Sequence, residues 1–384
     1  GAIASVDMED ANLAPNTSVM QAIQGRVPGI NIGAVSAAGQ TPSLSIRGQN
    51  SLSASNDPLV VVDGIIYPGS LNDFSAADIE SIDFLKDASA AAVYGSRASN
   101  GVVLITTKTG KGETGKPSIT FNTYTGIQEA GKLLDVMNGE QYIQKIIDFG
   151  QAVGLDVDQS NVADFLQDTE IDNYRNGTEI DWADRQLRAG VIQNYELGIS
   201  GNTGKTKYYM SGTYTGQKGI IIGDDFNRTT VRVNLSNDIT DWLTIGINSA
   251  YTNSDFSGQA VSFNNSVLLS PYGRIFQPDN PEEYEIFPQT DQLIANPFLN
   301  LLNDDLDKRD NLFAVFNLSL DLPVKGLTYR FDYSKNLFFD RKARFQSRDR
   351  GGMDANGIAT KSNRFKSNWL MNNVLDYSTT INDV

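Results

Sequence analysis

Apolar and polar residues alternate along eight segments in the part of the chain that begins at residue 117. In one of them, polar residues separate Val231, Val233 and Leu235. A period of two is typical of a β-strand with one apolar face and one polar face. The pattern therefore predicts eight strands, which cover residues 118–126, 194–201, 206–214, 227–235, 242–251, 312–322, 327–334 and 368–378.

The connections between these predicted strands alternate between short and long. The short ones comprise residues 201–205, 237–241 and 323–326. The long ones comprise residues 128–190, 217–225, 253–311 and 340–365. A transmembrane β-barrel has short periplasmic turns and long extracellular loops, whereas a soluble sandwich has no reason to follow this order. The predicted fold class is therefore a partial membrane all-β barrel, built as an antiparallel meander.

The first hundred residues mix helical and strand periods. A short amphipathic helix is predicted within residues 16–29, with a polar cap at Asn16 or Thr17 and a stop at Pro28-Gly29. Strands are predicted further along, and the second of them contains a two-residue turn signal. This mixture predicts a small α+β domain in front of the strand meander.

The predicted strands of this domain comprise residues 43–48 and 58–67. Residues 75–108 then contain a helical turn, a short strand, an Ala-rich helix and a β-branched strand. Alternation of helices and strands over such short distances favours a compact unit with its own core.

Composition narrows the possible functions. The 384 residues include no cysteine and no histidine, which excludes disulfide frameworks, imidazole or thiolate metal sites and any catalytic triad that needs an imidazole. The net charge of −15 argues against nucleic acid, whose binding depends on Lys and Arg contacts to phosphates. No apolar run reaches the roughly 20 residues of a membrane-spanning helix. A membrane crossing would therefore have to use strands.

Several long motifs carry a resemblance to a known family. They are QGRVPGINI, SLSIRGQNSLSASNDPLVVVDGIIY and LNDFSAADIESIDFLKDASAAAVYGSRASNGVVLITTKTGK, followed by looser similarity after residue 117. In these residues the chain resembles the SusC/RagA-like TonB-dependent outer-membrane transporters. The resemblance implies a plug domain at residues 1–112, a hinge at 113–117, and the first third of a 22-stranded barrel at 118–384.

The same resemblance implies active import across the bacterial outer membrane, without enzymatic activity or a cofactor. Members of the family import glycan oligomers, and some import peptides, with energy from the TonB complex and the proton-motive force. A SusD-like surface lipoprotein covers the pore, and the strands contact the lipid bilayer. The segment that contacts TonB is expected to precede these residues. Glycan import is the main functional prediction, and peptide import is the alternative.

Two arginines in the plug motifs are candidate gating residues by resemblance. Arg47, which Gly48 follows, and Arg97 are expected to pair with glutamates on the inner barrel wall and to hold the plug until it is pulled. The alternative is a local salt bridge or a surface arginine whose stem covers apolar surface.

Two residue pairs in the same motifs have a simpler interpretation. Asp63-Gly64 is predicted to form a turn, and Tyr94-Gly95 is predicted to stop a helix, because glycine adopts positive φ angles without strain. Both pairs are therefore interpreted as residues that maintain the fold.

Aromatic residues in the long connections are candidate sugar contacts, although loop cores and interface belts also use aromatic rings. The candidates are Phe263, Tyr272, Phe276 and Tyr284, with Phe256 and Phe287 beside them. The acidic stretches 279–285 and 303–310 lack the glycine-centred spacing of a calcium loop. They are predicted to be solvated extracellular loops.

The segment from Gly110 to Lys116 matches the glycine and lysine spacing of a nucleotide-binding loop. The next residue is Pro117, where that motif needs the hydroxyl of a serine or threonine. A predicted strand follows, so no helix N-terminus is available for a phosphate. The segment is therefore interpreted as a solvated hinge. A nucleotide-hydrolysing enzyme and a secreted β-rich binding module are the two competing functions.

Overall fold

The computed structural model describes residues 3–8, 18–46, 48, 56–87, 92–110, 113–133, 135–289, 294–346 and 357–379. Within them, the N-terminal domain contains a five-stranded sheet with the order β1-β6-β7-β4-β5. Its strands are β1 (Ile3–Asp7), β4 (Leu59–Val62), β5 (Ile65–Ile66), β6 (Ile79–Leu85) and β7 (Val102–Thr107). The remaining strands, β2 (Ile30–Ile32) and β3 (Leu44–Ile46), pair with each other. The predicted α+β domain is therefore confirmed.

The helix of this domain, α1, is shorter than the sequence predicts. It spans Val19–Ile23, and its N-cap is Ser18, whose hydroxyl accepts a hydrogen bond from the Gln21 amide. Such a cap satisfies one of the free amides of the first turn. The caps predicted from the sequence, Asn16 and Thr17, lie outside the described residues.

The hydrophobic core of the N-terminal domain continues into the barrel wall. Its buried cluster contains Phe74, Phe84 and Ile105 from the domain together with Phe313 from the wall. The Tyr67 ring meets the rings of Phe74 and Phe313 edge-on, at centroid distances of 4.8 and 5.1 Å. The domain is therefore seated against the wall by shared apolar packing.

The second part of the chain forms one eight-stranded antiparallel sheet in which sequential strands are neighbours. The three short connections predicted from the sequence lie at one end of the strands, and the long connections lie at the opposite end. The strands are β8 (Ser118–Gln128), β9 (Gly190–Asn202), β10 (Thr206–Lys218), β11 (Asp225–Thr240), β12 (Leu243–Asp255), β13 (Asp304–Asp321), β14 (Leu327–Gln346) and β15 (Ile358–Tyr377).

The two faces of this sheet differ in chemistry. On β11, Arg228 and Arg232 are buried on the concave face, whereas Val231 and Leu235 on the other face are 47 and 37% exposed. A soluble sheet buries its apolar face and exposes its polar one. The reversed pattern is that of an outer-membrane barrel, with an apolar surface toward lipid and a polar interior. The structure therefore confirms a partial β-barrel with a plug.

The pairing register of this sheet is nearly unbroken. The pairing of β10 with β9 and β11 and the pairing of β13 with β12 and β14 contain no shift. The pairing of β11 with β12 contains a register shift between Asp238 and Thr240, at the end of the strands where the short turns lie. Residue parity therefore decides which side chains face the interior and which face outward.

Three strands extend further toward the long connections than the sequence predicts. β13 begins at Asp304, β14 continues to Gln346, and β15 begins at Ile358. The stretch 303–310, predicted to be a solvated loop, is thus mostly strand. Its carboxylates pair with cations on β14, which stabilises pairing where the alternation is one of charge rather than of hydrophobicity.

The long connections have folded structure of their own. The first contains the helices α2 (Gly139–Ala152), α3 (Asp168–Asn176) and α4 (Trp182–Arg185). One of its cores packs against Tyr272 of the third long connection, and a second core joins Trp182 to Val261 and Phe298. A short helix, α5 (Phe263–Ser266), belongs to the same layer. The first three long connections, as far as the structure describes them, therefore form one packed layer.

The residues between the two domains lie against the sheet. The Gly115 amide donates to the Asn202 carbonyl at 2.7 Å, and Thr114 bridges to Asn202 in parallel. A Cβ on Gly110 would lie 2.3 Å from the Tyr208 nitrogen and 2.4 Å from the Gly201 carbonyl oxygen. Glycine is therefore required at residue 110 because the sheet backbone approaches it closely.

Candidate functional site: the interface between plug and wall

A buried ion pair lies at the centre of this interface. Asp78 ends the 3₁₀ turn Ala76–Asp78, directly before β6 of the N-terminal domain, and Arg232 projects from the concave face of β11. Asp78 Oδ2 lies 3.7 Å from Arg232 Nε, and both side chains are almost completely buried. The carboxylate also accepts hydrogen bonds from the hydroxyls of Tyr209, at 3.0 Å, and Ser211. Charges buried in this way require partners, because an uncompensated one is costly.

Arg232 makes few hydrogen bonds for a buried guanidinium. Its Nη1 lies 3.5 Å from Asn234 Oδ1, and its plane lies over the Phe74 ring at 5.3 Å. Within the described residues, Nε and Nη2 have no hydrogen-bond partner. Its attachment to the plug is therefore electrostatic and stacking in character, which is less directional than a bidentate pair.

A second arginine of β11 holds the 3₁₀ turn at Leu71–Asp73. Arg228 donates to the Asn72 carbonyl at 2.7 Å, and Thr252 donates to the Asp73 carbonyl at 2.6 Å. The Tyr67 hydroxyl donates to the Asp73 carboxylate at 2.5 Å and accepts from the Asn311 amide. Burial raises the pKa of the Asp73 carboxyl, against the opposing effect of the Tyr67 hydrogen bond.

A third attachment lies where the plug chain leaves its last strand. The amide of Asn234 donates to Thr107 Oγ1 at 3.0 Å and to the Lys108 carbonyl at 2.8 Å. Thr107 in turn donates to Asp63 through its amide and its hydroxyl, at 2.8 and 2.7 Å. β11 therefore reaches both the end of β7 and the hairpin turn through one residue.

The fourth attachment is the loop between β2 and β3. The amides of Ala38 and Gly39 donate to Asp224 at 2.8 Å and to Gln217 at 3.1 Å. The Phe226 ring covers Gly39 so closely that a Cβ there would lie 2.3 Å from it. Arg228, Arg232, Asn234 and Phe226 all belong to β11, so this strand carries most of the attachment.

Of the two gating arginines predicted from the sequence, Arg97 takes no part in these contacts. Arg47 lies outside the described residues, and Gly48 has a φ of 96°. Arg97 is exposed and makes no ion pair with any carboxylate that the structure describes. It lines a cleft between the plug and the wall, together with Asn336 and Asn368. Its pairing with a barrel glutamate stays a prediction.

The first motif pair forms a turn, whereas the second lies inside a 3₁₀ segment that continues to Ala98 and not at the end of a helix. Asp63 and Gly64 both have positive φ angles, 50 and 85°, and join β4 to β5. Gly95, with a φ of 66°, interrupts a 3₁₀ segment at Ala92–Ala98 directly after Tyr94. Asp63 does more than turn the chain, because its carboxylate accepts both hydrogen bonds from Thr107.

The loop aromatics separate into buried and accessible residues. Tyr272 is buried against Tyr174, and Tyr284 stacks on Phe298. Phe276 stacks on Tyr284 at 5.2 Å and is 43% exposed, while Phe263 is partly buried in α5. Of the four candidates, Phe276 has the most accessible ring, and sugar contact stays a prediction for all of them.

The sequence reasoning did not identify Arg228 and Arg232. A signal was present, because both arginines place a charge on the polar face of a strand predicted to line a barrel. A charge in that position needs a partner. Their partners could not be identified, since nothing in the sequence places β11 opposite the turns at Leu71–Asp73 and Ala76–Asp78.

Two other properties bear on function. Among the described residues there is no group of three or more carboxylates that could hold a metal ion. No helix among them is both long and apolar enough to cross a membrane. Residues 113–117 lead into strand β8, and none of them begins a helix. The hinge stays a prediction.

Comparison with known proteins agrees with this geometry. Residues 1–102 match the TonB-dependent receptor plug domain. TonB-dependent receptor P26 of Formosa agariphila is 32% identical over 360 residues, which cover 90% of this chain and 34% of that protein. TonB-dependent receptor SusC of Bacteroides thetaiotaomicron is 29% identical over 298 residues, which cover 74% of this chain and 28% of that protein. The chain spans about a third of the length of the curated relatives it matches.

Solved structures show the same fold. A structure of the RagAB peptide transporter superimposes with a TM-score of 0.84 at 24% identity, over all of this chain and 46% of that chain. The RagAB peptide importer in its closed-closed state gives a TM-score of 0.83. The chain therefore belongs to the SusC/RagA-like TonB-dependent receptors of the bacterial outer membrane, and its described residues comprise a plug domain with eight strands of the barrel.

Proposed function

We propose that this protein forms the gate and part of the wall of a TonB-dependent importer for a bulky polar nutrient. The observation that carries the proposal is the attachment of the plug to the concave face of β11. Four sets of contacts close that face, and the Asp78–Arg232 pair lies in the middle of them. A plug that is held against the wall by buried charges does not detach without an input of free energy. An external energy source, such as TonB coupled to the proton-motive force, is therefore required.

The proposal includes two partners and a substrate class. A SusD-like surface lipoprotein covers the extracellular layer, and TonB acts on a segment that precedes the plug. The substrate is a glycan oligomer, with a peptide as the alternative. The similarity of fold to the RagAB peptide importer supports a peptide substrate, whereas the exposed Phe276 ring could stack on the face of a sugar.

The first experiment measures energy coupling. Cells that express the intact transporter are given a fluorescently labelled oligosaccharide or peptide pool, with and without TonB and with and without a protonophore. Uptake is expected to stop when either TonB or the proton-motive force is removed. Uptake that continues at the same rate under both conditions contradicts the proposal.

The second experiment tests whether the plug must detach from β11. The variant Thr107→Cys with Asn234→Cys replaces two side chains whose Oγ1 and Nδ2 atoms are 3.0 Å apart. No other cysteine is present in the described chain to compete for the disulfide. Oxidation is expected to stop uptake, and a reductant is expected to restore it. Either single variant serves as the control. Full uptake by an oxidised, verified cross-linked protein would show that β7 stays on the wall during transport.

A further inference from the structure

Glu196 is a buried carboxylate on the inner face of β9 that takes no part in the four attachments. Its neighbours across the sheet are Asn122 on β8 and Thr213 on β10, and the residue is only 6% exposed. Among the described residues, the one hydrogen bond to its carboxylate comes from the Asn122 amide at 3.5 Å, and no cation pairs with it within 4.0 Å. A buried carboxylate with so little compensation is costly.

The charges that act most strongly on Glu196 belong to the plug. They are Lys108, which attracts the carboxylate, and Asp78, which repels it. These two plug residues are neighbours, because the Lys108 amide donates to the Asp78 carbonyl at 2.8 Å. Asp78 is also the ion-pair partner of Arg232 on the wall. Two residues of the plug and two of the wall therefore form one group of four charges.

The two wall residues of this group share the inner face and lie two strands apart. Arg232 is opposite Ser211 on β10, and Ser211 is opposite Gly198 on β9, two residues from Glu196. At about 4.8 Å per strand and 3.4 Å per residue, the Cα atoms of Arg232 and Glu196 are about 12 Å apart. An arginine and a glutamate that extend toward each other bridge such a distance, and Gly198 has no side chain to stand between them.

Detachment of the plug separates the charges of the two domains. Asp78 and Lys108 leave together, because they are joined through their backbones. Arg232 then remains on the wall without its carboxylate, and Glu196 remains without its nearest cation. Removing one partner of a buried ion pair is strongly destabilising when nothing replaces it. The two residues left on the wall have opposite charges and can replace the lost partners for each other.

We propose that Glu196 is a positioning residue for transport, which takes over Arg232 when the plug detaches. The inference rests on the proposed import function and assigns a second arrangement to the four charges. With the plug seated, Asp78 holds Arg232. With the plug detached, Arg232 turns to Glu196, and Lys108 turns to Asp78 within the plug. Each domain then compensates its own charges, which lowers the free energy that detachment requires.

The first test is the variant Glu196→Gln, which removes the charge and keeps an oxygen for the Asn122 amide. The seated state buries this charge and the detached state pairs it, so the variant is expected to hold the plug more firmly. The reporters are the amides of Ala38 and Gly39, whose acceptors belong to the barrel part of the chain. Their hydrogen exchange in the intact transporter is expected to slow about fivefold, the effect of one opposite charge at about 4 Å in water. A residue that only maintains the fold would speed it.

A second variant acts from the plug side and decides the matter if Glu196→Gln does not fold. Lys108→Gln leaves the wall unchanged and removes the cation that compensates Glu196 in the seated state. The same amides are expected to exchange about fivefold faster. The control is Asp332→Asn, because Asp332 also lies on the inner face and accepts from Asn317, but on β14, three strands from Arg232. This control is expected to leave the exchange unchanged.

Uptake measures the change of partner itself. Glu196→Gln is expected to slow TonB-dependent uptake about fivefold in the otherwise unchanged protein. The slowing is expected to be much smaller when Asp78→Asn with Arg232→Met has already removed the ion pair, because Glu196 then has no cation to take over. Glu196→Asp keeps the charge and is expected to retain most of the uptake.

Four results would overturn the inference. They are unchanged or faster exchange in Glu196→Gln, unchanged or slower exchange in Lys108→Gln, an equal effect of Asp332→Asn, and equal slowing of uptake with and without Arg232. Uptake that still depends on TonB, together with any of these results, would leave the proposed import function intact and remove only the role of Glu196. Uptake that does not depend on TonB would instead contradict the proposed function.

Discussion

The wall contacts the plug in two different ways along its length. On β11, two arginines are buried and their partners belong to the plug. On β14 and β15 the inner face borders a cleft that Ile66 and Arg97 of the plug also line, and Leu370 packs against the shared core. The comparison indicates that buried charges and hydrogen bonds anchor the plug on β11, whereas apolar packing and a cleft meet it on β14 and β15.

The largest expected effect comes from breaking the anchored side. Arg232→Ala leaves the Asp78 carboxylate buried without its cation, which is expected to destabilise the seated plug by about 3–5 kcal/mol. Hydrogen exchange of the Ala38 and Gly39 amides in the intact transporter measures this loss, because their acceptors, Asp224 and Gln217, belong to the barrel part of the chain.

A double variant separates lost charge from lost packing. Asp78→Asn with Arg232→Met removes both charges and keeps an acceptor for Tyr209 and Ser211. It is expected to recover most of the stability that Arg232→Ala loses. If both variants lose the same amount, the ion pair is not what anchors the plug.

The next effect concerns the close approach at the tether. Gly110→Ala would bring a Cβ against the backbone of Tyr208 and Gly201, and it is expected to destabilise the seated plug by about 1–3 kcal/mol. Gly131→Ala is the control, because nothing lies within 4 Å of its added Cβ. Limited proteolysis between plug and barrel compares the two variants. Equal cleavage of both would show that the tether is not docked.

The pH dependence of the anchored side follows from Asp73. Its folded-state pKa is raised by burial, so the protonated form favours the seated plug. This contribution is fully present below about pH 4, the unfolded value, and is lost as the pH rises through the folded-state pKa. Asp73→Asn is expected to flatten that part of the profile, measured by hydrogen exchange of the Ala38 and Gly39 amides at several pH values. An unchanged slope would show that another group dominates.

The smallest expected effect lies beside the cleft on β14 and β15. Asn368→Ala removes an exposed amide beside the cleft and is expected to change plug stability by less than about 0.5 kcal/mol. The same hydrogen-exchange measurement checks it. A loss as large as that of Arg232→Ala would mean that the two sides hold the plug equally, and the comparison would fail.

The strand meander could be predicted from the sequence because its outward face is apolar and aromatic. Each predicted segment falls inside an observed strand or extends at most one residue beyond it, and β11 shows the alternation most clearly. The upper parts of β13, β14 and β15 escaped prediction because there Asp, Lys and Arg alternate with other polar residues. Pairing in that region depends on cross-strand partners such as Asp305 and Arg344, which are far apart in the sequence.

The helical layer was also missed, although a local signal was available. Asn138 and Gln141 form a capping box at the start of α2, and Ile143 and Ile147 are buried four residues apart. These features are typical of an amphipathic helix. For the plug interface no such signal exists, because Asp78 and Arg232 are brought together only by the seating of one domain on another.

The nearly unbroken pairing register limits where the chain can gain or lose residues. An insertion of one residue in the middle of β11 would turn Arg228 or Arg232 outward and expose it to hydrocarbon, at a cost of about 2–4 kcal/mol per arginine near the midplane. The same insertion in the connection between β12 and β13 leaves both faces in place. Length differences between homologous chains should therefore concentrate in the extracellular layer, so that recognition can diversify while the anchored wall stays constant.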